Sequence, residues 1–127
     1  MNDSTRTTRQ TTGDLGEKIA QSFLKKKGYR IVDTNFRCRR GEIDIVAKHK
    51  DFLVFVEVRS KRNLEWGTPE ESITAGKKRR GKTAAFYYLH ELEKQPKFWR
   101  IDVVVLEIDA AGKATRIEHI ESAIGED

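Results

Sequence analysis

Two neighbouring apolar runs constrain this chain most: Gly41-Glu42-Ile43-Asp44-Ile45-Val46 and Phe52-Leu53-Val54-Phe55-Val56-Glu57-Val58-Arg59-Ser60-Lys61-Arg62. Their β-branched and aromatic residues, separated by the polar His49-Lys50-Asp51, predict a hairpin over 42–48 and 52–60. Each strand carries one carboxylate, Asp44 or Glu57, inside its apolar run. A charge in a buried strand is costly unless something pairs with it. Two such charges in adjacent strands point to a metal ion or a cationic partner.

The turn decides whether the acids meet. Side chains alternate across a strand, so Asp44 shares a face with Glu42 and Val46, and Glu57 shares one with Phe55, Arg59 and Lys61. An even turn centred between Lys50 and Asp51 sets Asp44 opposite Glu57 and Glu42 opposite Arg59. Directly opposed Cβ atoms lie about 4.5–5.5 Å apart. Carboxylates that close raise one another's pKa unless a cation sits between them. A hard divalent ion such as Mg²⁺ suits such oxygens. An odd turn would place the acids on opposite faces. The competing reading is simple ion pairing with Arg39, Arg40, Arg59 or Lys61.

The 127 residues suit one domain, with residues 1–12 read as a disordered tail and 13–127 as the single folded unit. Asp14 is expected to open a helix whose apolar face carries Leu15, Ile19, Ala20, Phe23 and Leu24, ending near Gly28. Tyr29–Val32 reads as a strand, extended past a kink by Asn35-Phe36. Residues 62–72 read as a loop. A second helix begins between Pro69 and Thr74 and runs to about Glu93. Strands follow over Trp99–Ile108 and near Thr115–Ile120.

Net charge is +5. From Glu107 onward six acids face two bases, so that segment is −4 and residues 1–106 carry +9. A basic body suits polyphosphate partners, because bound Lys and Arg release condensed counterions. No apolar run approaches the ~20 residues of a membrane span. The single cysteine, Cys38, excludes an internal disulfide and fits a reducing cytoplasm, the expected location.

Gly76-Lys77-Lys78-Arg79-Arg80-Gly81-Lys82-Thr83 matches the G-x-x-x-x-G-K-[ST] phosphate loop. That loop must follow a buried strand, and Pro69–Ala75 is polar and helix-starting instead. The stretch reads better as the basic first half of the second helix. Lys77, Gly81, Ala84, Ala85 and Tyr88 share one helical face, so Lys77 extends the inward stripe toward the carboxylates. Lys78, Arg79, Arg80 and Lys82 splay outward toward phosphates, or toward solvent alone.

The array of Asp44 with Glu57-Val58-Arg59 resembles the PD-(D/E)xK nuclease motif. The wider pattern resembles the YraN-like family of small proteins in that superfamily. It rests on Gly13-Asp14-Leu15-Gly16-Glu17 with Ala20, Gly28-Tyr29, Asn35-Phe36-Arg37, Gly41-Glu42-Ile43-Asp44, Phe55-Val56-Glu57-Val58-Arg59 and Arg100-Ile101-Asp102-Val103-Val104. The resemblance implies a restriction-endonuclease-like α/β core, a mixed β-sheet flanked by helices in the order α-β-β-β-α-β-β. It implies Asp44, Glu57 and Glu17 as ligands of Mg²⁺ or Mn²⁺. Glu17 has a second reading, because Asp14-x-x-Glu17 also fits a helix-capping box. Arg59 stands where the superfamily has lysine. Arginine stays protonated, so it stabilises charge but cannot act as a general base. Lys61, on the same strand face, is the candidate substitute.

These features imply a metal-dependent nuclease-like protein acting on branched or single-stranded DNA. Asp44, Glu57, Arg59 and Lys61 would carry the chemistry, and Lys77, Lys78, Arg79, Arg80 and Lys82 would hold the backbone. A non-catalytic nucleic-acid-binding module on the same fold is the alternative, and a protein-interaction module is the third reading. A homodimer would suit cleavage of two strands, although no residue specifies one. His49, His90 and His119 lack metal-ligand spacing. Trp66 is a candidate to stack on a base or to pack under its loop, and Asp102 reads as a buried structural acid.

Overall fold

The computed structural model describes residues 8–62 and 68–124. Helix α1 (Thr8–Lys26) leads into strands β1 (Arg30–Cys38), β2 (Gly41–His49) and β3 (Phe52–Arg62). A 3-10 turn (Pro69–Ser72) precedes helix α2 (Ala75–His90), and β4 (Phe98–Ile108) and β5 (Ala114–Ile124) complete the chain. The expected order of elements is the observed one. The five strands form one mixed sheet in sequential order, antiparallel except for the β3–β4 pair. That parallel pair is bridged by α2, because strands running the same way need a long crossover.

Alternation along β3 divides the core. Val54 and Val56 join Leu24, Ala20, Tyr29 and Leu106 under α1, whereas Leu53 and Phe55 join Ala84, Ala85, Leu89 and Ile101 under α2. The helices therefore cover opposite faces of the sheet. β4 is buried on both faces from Ile101 to Leu106, which explains its nearly unbroken apolar run.

The C-terminus of α1 closes as the sequence suggests. Gly28 takes φ +94°, Tyr29 N–H donates to Leu24 O at 3.0 Å and Gly28 N–H to Lys25 O at 3.0 Å. That is a Schellman closure, with Tyr29 and Leu24 supplying its apolar contact. The start of α1 differs from expectation. The helix runs from Thr8, so Asp14 and Glu17 lie in its interior and form no capping box. Residues 8–12, expected within the disordered tail, are helical here, and residues 1–7 lie outside the described residues. Gly16 explains the tolerance of glycine in this helix: a Cβ there would sit 2.7 Å from Ser60 Oγ, so its absence lets α1 lie close against β3.

β1 is also longer than expected. It continues through Asp33-Thr34-Asn35 as one edge strand, with a register irregularity between Ile31 and Asp33 and Asn35 at φ 52°. Gly76–Thr83 lies inside α2, not on a strand-to-helix loop, so the phosphate-loop match has no structural basis. Thr74 caps that helix, its hydroxyl accepting from Lys77 N–H at 3.2 Å.

Candidate metal and nucleic-acid site

The hairpin turn is even. His49 pairs with Phe52 and Ile45 with Val56, so Lys50-Asp51 is a two-residue turn with Lys50 at φ 57°. The ladder ends at Ile45–Val56, one pair before the expected Asp44–Glu57 and well before Glu42–Arg59. The physical reason is visible at Asp44. Its Oδ2 accepts the Val58 N–H at 2.7 Å, a donor that a regular ladder would give to a backbone carbonyl. The carboxylate thus replaces the next backbone partner, and β3 continues alone against β4. The acids still converge: Asp44 and Glu57 line one cavity of about 130 Å³ with Glu42, Arg59, Lys77 and Arg80.

Helix α2 forms the roof. Gly81 crosses directly above Glu57, where a Cβ would lie 2.6 Å from Oε1. Gly41, at the start of β2, performs the same task on the other side, because a Cβ there would collide with the backbone carbonyl of Arg80. These two glycines bring α2 within reach of both acidic strands.

Glu57 is almost fully buried, at 4% exposure. Burial pushes its carboxyl up to about 7, Asp44 adds to the rise, and Arg59 and Lys77 oppose it. Arg59 Nη2 meets Glu57 Oε2 at 3.2 Å, while its Nη1 donates to Val58 O at 3.3 Å. Asp44 is also raised by burial, against the Val58 N–H and Arg59. Local cations therefore do not fully compensate these two carboxylates. Lys77 is held below its ordinary value by partial burial and by Arg59 and Arg80.

Glu17 approaches from α1. It accepts from Asn35 Nδ2 at 3.0 Å, and its carboxyl is raised by burial and then by Asp44. It does not line the cavity, and among the described residues no three His, Cys, Asp or Glu side chains converge as a metal-ligand group. The donor set is instead a carboxylate pair. That pair fits Mg²⁺ or Mn²⁺ chemistry, since Mg²⁺ is commonly held by one or two carboxylates completed by waters and phosphates. Lys61 does not line the cavity, although its charge acts on Lys77. Of the basic helix residues, Lys77 and Arg80 face the acids, whereas Lys78 and Arg79 are exposed and Lys82 is half-buried outside the cavity.

A scan of family models matches residues 16–106 to the Uncharacterised protein family UPF0102. The chain belongs to this family. A UPF0102 protein of Pelotomaculum thermopropionicum is 44% identical over 115 residues, covering 91% of this chain and 96% of the relative. One of Dehalococcoides mccartyi is 45% identical over 121 residues, covering 94% and 97%. One of Renibacterium salmoninarum is 46% identical over 110 residues, covering 85% and 91%. The matched UPF0102 segment contains Glu17, Asp44, Glu57, Arg59, Lys77 and Arg80.

The sequence reading of this UPF0102 chain missed an arginine cleft. Arg37, Arg39, Arg40 and Arg80 line a space of about 280 Å³ with Cys38, Gly41 and Glu42, and it shares Glu42 and Arg80 with the acidic cavity. The available signal was Gly41, a strand glycine marking close backbone approach. Asp102 is fully buried and structural. It accepts from Arg100 Nε at 3.0 Å and Ser122 N–H at 2.9 Å and meets His119 Nε2 at 2.7 Å. His119 Nδ1 in turn faces Lys27 Nζ at 2.7 Å. Trp66 lies outside the described residues. No described helix is long and apolar enough to cross a membrane.

Proposed function

We propose that this protein is a metal-dependent nuclease-like protein that binds DNA and hydrolyses its phosphodiester bonds, acting on branched or single-stranded substrates. The observation that carries this reading is the cavity in which Asp44 and Glu57, both raised by burial, meet Arg59, Lys77 and Arg80. Asp44 and Glu57 would hold Mg²⁺ or Mn²⁺. Such an ion supplies Lewis acidity at a phosphate oxygen and lowers the pKa of water. Arg59 is anchored on Glu57 and Val58 and stays charged, so its part is to neutralise the scissile phosphate. Lys77 has the property Arg59 lacks. Its depressed pKa makes it the better group to exchange a proton with the attacking water. The arginine cleft beside the cavity gives the flanking phosphates bidentate partners.

The test is cleavage of a panel of DNA structures with Mg²⁺ or Mn²⁺. Cleavage lost in Asp44→Ala and Glu57→Ala supports the reading; no cleavage of any substrate removes catalysis. Arg59 also favours a second reading, a non-catalytic nucleic-acid-binding module, because it already occupies Glu57 Oε2. Salt-dependent DNA binding with no divalent-ion binding would select it.

A further inference from the structure

At the other end of α2, on the same face of the sheet, lies a larger cavity of about 470 Å³. That volume falls in the range of about 300–1,000 Å³ used by small organic ligands. Its floor is apolar, formed by Leu53, Tyr88 and Leu92, while Phe52 touches its edge and packs its ring on the α1 face. Tyr88 is fixed by edge contacts with Phe36 at 5.1 Å and Phe55 at 5.6 Å. This ring is therefore held in place.

The rim carries Lys48, Lys50, Lys94 and Lys97 against one acid, Asp51. Among the described residues, none of these lysines makes an ion pair. The rim thus carries an excess of positive charge above an apolar floor. Gln95 secures the wall by donating to Leu89 O at 2.7 Å, which folds the connector 91–97 back over the helix end.

We infer that this cavity binds a nucleotide unit, with the base against Tyr88 and Leu92 and the phosphate among the four lysines. Lysine serves phosphate as a point charge, and base stacking on aromatic rings needs no particular sequence. Gly81, over the acidic pair, and Tyr88, at this floor, are seven residues apart on α2, a rise of about 10 Å. A single strand crossing the acidic cavity can reach this one. The nucleotide therefore has two possible sources, free in solution or within such a strand. Binding here does not depend on Asp44 or Glu57.

The experiment follows backbone amide resonances of the full chain during titration with AMP, inorganic phosphate or a short single-stranded oligodeoxynucleotide. Binding is compared in wild type, Asp44→Ala and the double variant Lys94→Glu/Lys97→Glu, whose fold is checked by circular dichroism. AMP is expected to move the amides of Asp51, Phe52 and Leu92 in wild type and Asp44→Ala alike. The double variant should weaken binding at least about tenfold, because each reversal turns attraction into repulsion. The same movements with the oligonucleotide but not AMP assign the site to a strand and support the inference. Phosphate binding as tightly as AMP overturns the nucleotide assignment. Unmoved amides with every probe, or unchanged affinity in the double variant, overturn the site.

Discussion

Replacing Glu57 by glutamine should stabilise the metal-free protein at neutral to alkaline pH. The carboxyl sits at about 7 in the folded chain against an ordinary 4.5. That rise of 2.5, from 7 minus 4.5, corresponds to roughly 3 kcal/mol at about 1.36 kcal/mol per unit. The sign follows from proton counts. Between 4.5 and 7 the folded state binds more protons than the unfolded chain, so stability falls as pH rises through this window. Stability linked to this group is full below 4.5 and lost above 7. Glutamine mimics the protonated acid at every pH and keeps an acceptor for Arg59. Wild type and Glu57→Gln should therefore melt alike at pH 4.5 and diverge toward pH 8, with the variant higher by on the order of 10 °C. The assay is thermal unfolding by circular dichroism in chelator across that range. Asp44 and Glu17 are raised in the same sense and are present in both proteins, so the difference reads Glu57 together with its coupling to Asp44. Parallel melting curves from pH 4.5 to 8 would refute the uncompensated burial on which the site reading rests.

The two roof glycines should respond differently to alanine. Gly41→Ala meets a backbone carbonyl that cannot move aside, so a loss of about 1–3 kcal/mol is expected by denaturant titration. Gly81→Ala meets the Glu57 carboxylate rather than backbone and gains about 1 kcal/mol of helix propensity, so it should cost less than Gly41→Ala while Mn²⁺ affinity falls. Asp102→Asn should cost about 3–5 kcal/mol, since it strips Arg100 and His119 of a buried charge partner. Asp102 is held below its ordinary 3.8 by His119, Arg100 and Ser122 despite the upward push of burial, so its stabilisation is lost only as pH falls below that value. Arg39→Ala and Arg40→Ala should each reduce the slope of log affinity for DNA against log salt by about 1 per phosphate contact removed.

The core of the site was legible because strand alternation and an even turn are local rules. They placed Asp44 and Glu57 on one face and brought Lys77 toward them from a helix whose apolar stripe is clear. The failures have local causes too. Residues 1–12 are poor in apolar side chains, which points to a disordered tail and a helix start at Asp14. The helix nonetheless runs back to Thr8, and the apparent capping box disappears with it. A ladder argument has no way to foresee that the Asp44 side chain takes the Val58 N–H. Arg37, Arg39 and Arg40 lie some forty residues from Arg80, so only the crossing of β2 beneath α2 joins them in one cleft. The lysine-lined cavity likewise combines the hairpin turn with the 91–97 connector, which share no sequence pattern.

Calorimetric titration of Mn²⁺ into wild type, Asp44→Ala and Glu57→Gln tests the carboxylate pair most directly. One saturable site in wild type, lost in both variants, is the expected result. No binding to wild type, or binding that survives in both variants, would contradict a metal centre at Asp44 and Glu57.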